Sequence, residues 1–549
     1  MNQAEILEVL SAKLHAGEIT RRQFMQAAAF FGLGVGIAPV AASAAPRQRG
    51  RTLQPLNQEA GEVRFLIAEA FPDTWDPYQH TIQAQSRIQE QIFDTLWKIE
   101  STDISQLTPG LAESWTQVDD VTIECKLRQG VTFHNGQPFT AADVKASIER
   151  ASGATAEETV KALSMVPTTV EIIDDFTVRL KTAEPFAPIY TEIATLPILS
   201  AADIQPSSDP STPPAGLETL KTSPNGTGPF RLVSNEKDRK VMEANPNYWD
   251  GAPTIQTLIW EYIIDPQTRL NALLAGQAHV LDRVPPEHLP VLQSNPNIEL
   301  ISNTGFENVN LWMRMDAPPP WDYANVKLRE AIMWGIDRQA IVTALVQGAS
   351  EVSVTHLPNH GLYAKPQEPA YTFDLERARA AKAEAGFPND GEPELPLWGV
   401  AGFLPRGEEV AEAIVDSLSQ VGFKVALQIT DVAAIIDGLF SPDKPGVFFH
   451  LSWSSNGDPN AALKTLYHSP GAWTGANDAT IDELIDRGNA TVDQEQRRAI
   501  FEELQAYLWQ NLVHIPLYNS DFTIAHVKNL TGLIALPNFS TRFHKAALT

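Results

Sequence analysis

The chain has 549 residues, with 41 Lys and Arg against 67 Asp and Glu, so that its formal net charge at pH 7 is -26. This acidity argues against a nucleic-acid partner, because a phosphate backbone binds to a basic surface. A hydrophobic fraction of 43% with 20% charged residues is that of a folded protein, and the length suggests about two to four domains. The single cysteine, Cys125, excludes an internal disulfide and any site built from several cysteines.

An export signal is predicted at the N-terminus. The apolar stretch at 27–42 is too short for a spanning helix, which needs about 20 apolar residues. Arg21 and Arg22 precede it in the sequence TRRQFM, which resembles the twin-arginine export motif. Small residues before and at Ala44 predict cleavage after Ala44, so that 1–44 form a signal peptide; with no cysteine near that point, no lipid anchor is expected. The alternative is an amphipathic helix followed by a linker.

The first half of the mature chain is predicted to form strands with short helices. Residues 45–60 are polar and unpatterned, which predicts a disordered lead-in. A strand is predicted at 63–67 and a turn at 71–78. The next predicted element is a helix with four apolar residues on one face: Ile88, Ile92, Phe93 and Leu96.

Strict alternation of apolar and polar residues follows at 121–128 and places Cys125 on the inward face of a strand. Asn135 and Gly136 mark a hairpin turn. Thr140 with Asp143 three residues later predicts a capping box at the start of a helix. Two further strands, joined by a short turn, are predicted at 169–173 and 177–181.

The second half alternates helices with strands. Helices are predicted at 325–335, 337–346, 374–385, 408–421 and 494–511, and a strand at 423–429. This alternation is typical of an α/β lobe whose sheet is covered on both faces. Three glycines just past these helices are suited to left-handed caps: Gly348, Gly386 and Gly422.

An ordered set of motifs runs through the mature chain. They are LTPGLAESW at 107–115, LRQGVTFHNG at 127–136, PFTAADV at 138–144, NGTGPF at 225–230, NPNYW at 245–249, LREA at 328–331, IDR at 336–338, AEAGF at 383–387 and IPLY at 515–518. With these motifs, the chain resembles the family 5 extracellular solute-binding proteins, the dipeptide, oligopeptide and nickel receptors of ABC importers. The resemblance extends from about residue 63 to the C-terminus.

The resemblance implies an α/β, two-lobed periplasmic-binding-protein fold of type II, cluster C, with a satellite subdomain inserted in the first lobe. The implied parts are lobe I at 61–98, 222–304 and 515–549, the satellite at 99–221, and lobe II at 305–514. In such receptors the lobes close on the ligand by hinge bending, here near 306–311 and 514–517. The glycine motifs, including 226–228, are expected to be turns.

The segment FFHLSWSSNGDP at 448–459 is the most informative about the ligand. An apolar strand that ends in Trp453 places the polar residues after it at the carboxyl edge of a sheet, the usual ligand crevice of open α/β lobes. These residues are Ser454, Ser455 and Asn456. In the peptide receptors that the chain resembles, an aspartate at the position of Asn456 holds the α-ammonium of the ligand. An amide lacks the charge for that bond, which argues against a peptide.

Further candidates for the binding site lie on both sides of this segment. Asp458 is the nearest carboxylate, although Asp-Pro is also a turn signature. Arg406 precedes the helix at 408–421, whose N-terminus favours anions, and in dipeptide receptors an arginine in this neighbourhood binds the ligand carboxylate. Its alternative is a solvated surface arginine. Aromatic candidates for stacking are Trp453, Trp473, Trp398 and Phe71; the last three are core residues in the alternative interpretation.

The expected protein is a periplasmic, monomeric receptor, exported by the twin-arginine machinery, that delivers a small organic ligand to the permease and ATPase subunits of an ABC importer. A short peptide is the ligand that the resemblance implies; an oligosaccharide or opine-like sugar conjugate is the alternative that Asn456 favours. An exported glycoside hydrolase is an alternative of another class. The chain has neither a nucleophile-elbow pattern nor a His-Glu-x-x-His motif, so no enzymatic activity, cofactor or metal is expected.

Overall fold

A computed structural model describes residues 61–69, 71, 74–79, 87–100, 106–153, 165–204, 215–317, 322–346, 350–400, 404–430, 448–454, 458–469 and 474–549. The predicted signal peptide with Arg21, Arg22 and Ala44, and the lead-in at 45–60, lie outside these residues. Within them, no helix is long and apolar enough to cross a membrane.

The chain forms two compact units. The terminal unit contains the described residues from 61 to Asn303 together with Phe522–Thr549, and the central unit contains Thr304–Asp521. The chain therefore passes from one unit to the other twice, after Asn303 and after Asp521.

The terminal unit begins with strands and short helices. Its strands before Asn303 are β1 Glu62–Ile67, β2 Trp97–Ile99, β3 Leu107–Pro109, β4 Ala112–Asp119, β5 Thr122–Leu127, β6 Thr168–Asp174, β7 Thr177–Thr182, β8 Phe230–Glu236, β9 Arg239–Ala244, β10 Thr257–Tyr262 and β11 Val280–Leu281. Its helices are α1 Ala141–Ala151, α2 Ile189–Ala194, α3 Ala201–Ile204, α4 Ala215–Thr222, α5 Pro266–Leu274 and α6 Leu289–Gln293.

A long strand, β12 Ile298–Trp312, leads into the central unit. The strands there are β13 Ser350–Val352, β14 Glu394–Val400, β15 Lys424–Thr430 and β16 Phe448–Ser454. The helices are α7 Val326–Gly335, α8 Arg338–Ala344, α9 Leu375–Glu384, α10 Gly407–Val421, α11 Asn460–Leu466, α12 Ala479–Ala490 and α13 Gln494–Asn511. The chain returns through β17 Ile515–Val527 and ends in β18 Leu530–Thr531, β19 Ile534–Ala535, β20 Thr541–Arg542 and β21 Ala547–Leu548.

Two sheets organise the terminal unit. In one, the order is β17-β11-β1-β10-β9-β8, with β1 parallel to both β10 and β11. The other is antiparallel, in the order β4-β5-β7-β6. Cys125 lies on β5 with no exposed surface, and burial raises the pKa of its thiol to about 12. The predicted inward-facing, packed cysteine is confirmed.

The central unit is built on the strand order β15-β14-β16-β12-β17, with β13 added to β17. β14 is parallel to β15 and to β16, whereas β12 is antiparallel to β16. One face of this sheet packs on α7, α9 and α10 through a continuous apolar core that includes Leu311, Leu397 and Leu418. The predicted α/β sheet with helix-strand alternation is confirmed in this unit.

The capping box and two of the three glycine caps predicted from the sequence are confirmed. The capping box at the start of α1 is formed, with the Thr140 N–H donating to Asp143 Oδ2 at 2.8 Å. Gly386 and Gly422 follow α9 and α10 with φ of 99° and 100°, as left-handed caps require. Gly348 lies outside the described residues.

The predicted helix at 88–96 is wrong beyond residue 89. Residues 87–89 are helical, the chain turns at 90–92, and β2 begins at Trp97. The carbonyl oxygens of Gln91 and Ile92 accept hydrogen bonds from the N–H groups of Phe230 and Gly228, each at 2.8 Å. These long-range bonds replace the helical ones, and the apolar residues remain buried.

The glycines of the motif at 225–230 are required by close packing and not by a tight turn. Neither Gly226 nor Gly228 has a positive φ. A Cβ atom on Gly226 would lie 1.9 Å from the carbonyl oxygen of Ile92, and one on Gly228 would lie 2.5 Å from the carbonyl carbon of Ile92. The expected turn function holds instead for Gly130 and Gly136, with φ of 76° and 85°.

A buried ion pair joins the segment before α11 to α13. Arg497 donates from Nη1 to Asp458 Oδ2 at 2.7 Å and from Nη2 to Asp458 Oδ1 at 3.1 Å, and each residue is 1% exposed. Arg497 also donates to Tyr363 Oη at 3.0 Å and to the Gly488 carbonyl oxygen at 2.9 Å. Burial opposes the charge of Arg497, but Asp458 outweighs it and raises the pKa of Arg497.

We predict that Asp458→Asn lowers the free energy of unfolding by about 3–5 kcal/mol, because it leaves a buried guanidinium without a counter-charge. The matched control is Glu483→Gln, which breaks the exposed pair of Glu483 with Arg487 and is expected to cost less than about 1 kcal/mol. Urea unfolding of the mature protein measures both. Equal effects of the two substitutions would show that the buried pair has no special role.

Gly226 is required by close packing and Gly130 by its backbone conformation, so alanine substitutions at the two positions should differ in their effect on stability. Gly226→Ala is expected to lower the free energy of unfolding by about 3 kcal/mol or more, because its Cβ overlaps the Ile92 carbonyl. Gly130→Ala has no atom within 4 Å of its Cβ and is expected to cost only about 1–2 kcal/mol of backbone strain. Thermal and urea unfolding measure both, and a larger effect at Gly130 would contradict the assignment.

Candidate functional site

β14 and β16 are neighbouring parallel strands of the central unit, and the chain connections that follow them lead to opposite sides of the strand order. β14 continues through α10 to β15 on one side of it, whereas β16, on its other side, continues through α11, α12 and α13 to β17. Ligands of open α/β sheets bind at the carboxyl ends of two such strands. The carboxyl ends of β14 and β16 therefore mark a candidate binding site.

The structure brings several of the sequence-predicted residues to this edge. They are Trp398 near the end of β14, Arg406 at the start of α10, Trp453 and Ser454 at the end of β16, and Asp458 just before α11. We call this group the carboxyl-edge site. Ser455, Asn456 and Trp473 lie outside the described residues.

Arg406 is the exposed cation of the carboxyl-edge site. Its backbone is left-handed, with φ of 52°, and it occupies the N-cap position of the 15-residue helix α10. The side chain of Arg406 does not cap this helix N-terminus, so the first backbone donors and the helix dipole favour an anion there. The guanidinium pairs with Glu409, Nη2 to Oε1 at 3.1 Å, and the two side chains are 38% and 47% exposed.

Trp398 and Asp458 are deeply buried members of the group. Trp398 is 7% exposed and follows Leu397, which points into the apolar core on the other face of the sheet. Asp458 accepts a hydrogen bond from the Asn460 N–H at 2.9 Å in addition to those from Arg497. This is the arrangement of the turn alternative, in which Asp458 holds the protein chain and not the ligand.

Backbone pairing fixes the place of the last residues of β16. Trp453 is paired with Asn308, and Ser454 with Glu307, both on β12.

Phe71 belongs to the terminal unit, where it is 8% exposed and its ring centroid lies 5.0 Å from the ammonium of Lys240. Phe71 is therefore a buried residue with a cation-π partner, as in its core interpretation.

A buried polar cluster next to this edge has no counterpart in the sequence prediction. Asn308, Asn310 and Trp312 alternate along β12 and line a cavity with His356 and Tyr467. Asn308 Oδ1 accepts from Asn519 Nδ2 at 2.5 Å, and Asn308 Nδ2 donates to the His356 carbonyl oxygen at 3.0 Å. The signal that could have found this cluster is the pair of amides, Asn308 and Asn310, that alternates with the apolar residues Val309 and Leu311 at the end of β12.

The two histidines of this region are neutral. Burial lowers the pKa of His356 to about 3 and holds the pKa of His514 well below its usual value. His514 Nδ1 lies 2.6 Å from the hydroxyl of Tyr467, and its ring lies 4.2 Å from that of Trp312. In the part of the chain that the structure describes, no group of three His, Cys, Asp or Glu side chains could hold a metal.

Comparison with known proteins gives the family. The family described as bacterial extracellular solute-binding proteins, family 5, matches residues 106–474. The glutathione-binding protein GsiB of Escherichia coli strain K12 is 28% identical over 506 residues, which cover 89% of this chain and 95% of GsiB.

Solved structures agree with this match. HbpA2 of Haemophilus parasuis is 27% identical with a TM-score of 0.75, over 89% of this chain and 100% of HbpA2. The periplasmic binding protein DppA of Helicobacter pylori, solved with the peptide STSA, has a TM-score of 0.72 at 22% identity, over 89% of this chain and 98% of DppA. The predicted α/β periplasmic-binding-protein fold is thus confirmed, and these relatives are binding proteins and not enzymes. The chain belongs to family 5 of the bacterial extracellular solute-binding proteins, which serve ABC importers.

Proposed function

We propose that the protein captures a short peptide in the periplasm and delivers it to the permease and ATPase subunits of an ABC importer. The observation that carries this proposal is Arg406, an exposed guanidinium at the N-terminus of α10, on the carboxyl edge of the sheet. A free carboxylate is the common feature of peptides, and a guanidinium binds it with two parallel charge-assisted hydrogen bonds.

A ligand carboxylate that binds Arg406 must replace Glu409, so the strength of this ion pair determines the free-energy cost of that exchange. An exposed pair of this kind contributes about 0–1 kcal/mol, so a ligand carboxylate can replace Glu409 at little cost. Glu408 and Glu409 lie in the first turn of α10 and reduce its attraction for anions. The site therefore favours a carboxylate that can reach both the guanidinium and the backbone donors.

The relatives support a peptide ligand. GsiB is named for glutathione, a small peptide with two carboxylates, and the DppA structure holds the peptide STSA. A sugar-like ligand remains the second candidate, since Asn456 replaces the carboxylate that would hold an ammonium. Such a ligand would be neutral and would not depend on Arg406.

We also propose how the chain is organised and how it is exported. We take the terminal and central units as the two lobes, with 99–221 as the satellite subdomain, and the protein as a monomer. Arg21 and Arg22 direct export by the twin-arginine machinery, with cleavage after Ala44.

We expect the mature protein to bind glutathione or a dipeptide such as Ala-Phe, measured by calorimetry and by tryptophan fluorescence. Arg406→Met should weaken binding about 10- to 100-fold, because charge-assisted hydrogen bonds to a carboxylate are lost. Glu409→Gln should strengthen binding about two- to fivefold, because the competing carboxylate is removed.

The control is Arg487→Met, which removes an exposed arginine that pairs with Glu483 on α12 and should leave affinity unchanged. A C-terminally amidated peptide should bind weakly and show no further loss with Arg406→Met. Equal loss for amidated and free peptides would refute the role of Arg406. Mass spectrometry that finds an oligosaccharide as the co-purifying ligand would refute the peptide.

For export, lysine substitution of both Arg21 and Arg22 is expected to keep the precursor in the cytoplasm, because the twin-arginine pathway requires the arginine pair. Fractionation and immunoblotting measure the precursor and the mature form. Arg47→Lys with Arg49→Lys, beyond the predicted cleavage site, is the matched control. Normal secretion of the first variant would exclude this pathway.

A further inference from the structure

The terminal unit has a sheet edge of the same kind as the carboxyl-edge site. β1 is parallel to its neighbours β10 and β11, and α5 connects these two neighbours along the chain. From β1 the chain continues instead to β2 and to the antiparallel sheet β4-β5-β7-β6. Open α/β sheets bind ligands at the carboxyl ends of parallel strands whose connections diverge in this way. The residues that directly follow β1 and β11 are therefore candidates for ligand recognition.

Asp282 fixes the ends of these two strands relative to each other. It directly follows β11 and has no exposed surface, and its Oδ1 accepts a hydrogen bond from the Ala68 N–H, just after β1, at 2.9 Å. Its Oδ2 accepts from Arg87 Nη1 at 2.7 Å. The next residues along the chain are Glu69 and Arg283, whose side chains therefore start from neighbouring, fixed points of the backbone.

Glu69 and Arg283 form an ion pair that water still reaches. Arg283 Nη2 lies 2.5 Å from Glu69 Oε1, and the two side chains are 31% exposed for Arg283 and 27% exposed for Glu69. We call these two residues the terminal dyad. Water competes for both charges of a pair with this exposure, so the charged groups of a ligand can replace each partner.

The backbone of Arg283 is held in an unfavourable conformation. Its φ is 45°, in the left-handed region that residues with a Cβ atom rarely adopt. The Val284 N–H donates to the Thr523 carbonyl oxygen at 3.1 Å, and the Arg283 guanidinium lies 5.4 Å from the ring centroid of Phe539. A surface ion pair requires no such strain, whereas strained residues cluster at binding sites. Arg406 has the same backbone feature, with φ of 52°.

The charges of the terminal dyad are complementary to the head of an amino acid. That head carries an ammonium and a carboxylate on one carbon atom, so its two charges lie close together, as those of the dyad do. The head carboxylate can accept parallel hydrogen bonds from the Arg283 guanidinium, and the head ammonium can donate to the Glu69 carboxylate. A ligand group with a single charge would replace one partner and leave the other without its counter-charge.

We propose that Glu69 and Arg283 bind an amino-acid head whose α-ammonium and α-carboxylate are both free, as at the first residue of a γ-glutamyl peptide. An α-linked peptide has no such head, because the α-carboxylate of its first residue is part of a peptide bond. This inference rests on the proposed peptide-receptor function and names the class of peptide, one linked through the side chain of its first residue. It also supplies an acidic partner for a ligand ammonium, which Asn456 does not.

The first test compares γ-Glu-Ala with its isomer α-Glu-Ala by calorimetry on the mature protein. The isomers have the same composition and the same charged groups, but only γ-Glu-Ala has the free head. It should bind about tenfold more tightly than α-Glu-Ala, and Glu69→Gln or Arg283→Met should abolish this preference.

The matched control is Arg231→Met, which removes an exposed arginine that pairs with Glu243 in the same unit. It should leave the preference for γ-Glu-Ala unchanged. Equal binding of the two isomers, as expected if the terminal dyad is only a surface ion pair, overturns the proposal. An equal effect of Arg231→Met and Arg283→Met on the preference also overturns it.

Two analogues assign each charge of the head to its residue. 4-Aminobutyryl-Ala lacks the head carboxylate and glutaryl-Ala lacks the head ammonium, and each should bind about tenfold more weakly than γ-Glu-Ala. Arg283→Met should then cause no further loss for 4-aminobutyryl-Ala, and Glu69→Gln none for glutaryl-Ala. Further losses as large as those for γ-Glu-Ala overturn the proposal. Glu69→Gln keeps the shape of the side chain, so its arm decides the outcome even if Arg283→Met does not fold.

The role of Arg406 separates this inference from the proposed function. Peptide binding that depends on Arg406 but does not distinguish γ-Glu-Ala from α-Glu-Ala refutes the terminal dyad alone. Binding of γ-Glu-Ala that requires Glu69 and Arg283 but not Arg406 supports the dyad and refutes the proposed role of Arg406. Failure of both isomers to bind overturns the dyad, and the proposed function then depends on the result with Ala-Phe.

Discussion

The parallel pairing of β14 with both β15 and β16 is the constraint on which the central unit depends. The connection from β14 to its parallel neighbour β15 passes through α10, whereas the chain continues from β16 to β17 through α11, α12 and α13. The N-terminus of α10, with Arg406, therefore comes to the same edge as the end of β16. The carboxyl-edge site follows from this strand order, and no special loop is needed to explain it.

Buried polar groups in this unit are of two kinds, which differ in how completely they are satisfied. Asp458 and Arg497 satisfy each other, and Arg497 has further acceptors in Tyr363 and Gly488. The ring nitrogens of His356 have no hydrogen bond of normal geometry among the described residues, although the residue is only 4% exposed and the backbone of His514 lies nearby. A complete network stabilises the fold, whereas an incomplete one is costly unless a ligand or water completes it.

The sequence predicts those features that depend on near neighbours. The capping box of Thr140 and the strand of Cys125 follow from patterns a few residues long. The helix predicted at 88–96 fails because distant N–H groups, including that of Gly228, take the carbonyl groups of the segment. The sequence predicts Arg406 as a candidate binding residue because it directly precedes a helix. It does not predict His356, because the cavity that His356 lines is formed with β12 and α11, which lie about 50 and 100 residues away from it along the chain.

The two arginine-carboxylate pairs beside this edge show why burial, more than residue type, separates structural residues from ligand-binding ones. Arg497 and Asp458 are held with about 1% exposure, so that exchanging one partner would strand a charge at a cost of several kcal/mol. Arg406 and Glu409 remain in water, where their pairing contributes about 0–1 kcal/mol and can be exchanged for a ligand carboxylate. An arginine that must release one anion to accept another has to be the exposed one. This contrast supports the proposed role of Arg406 in anion recognition, whereas Asp458 accepts a hydrogen bond from the Asn460 N–H and holds the start of α11 in position.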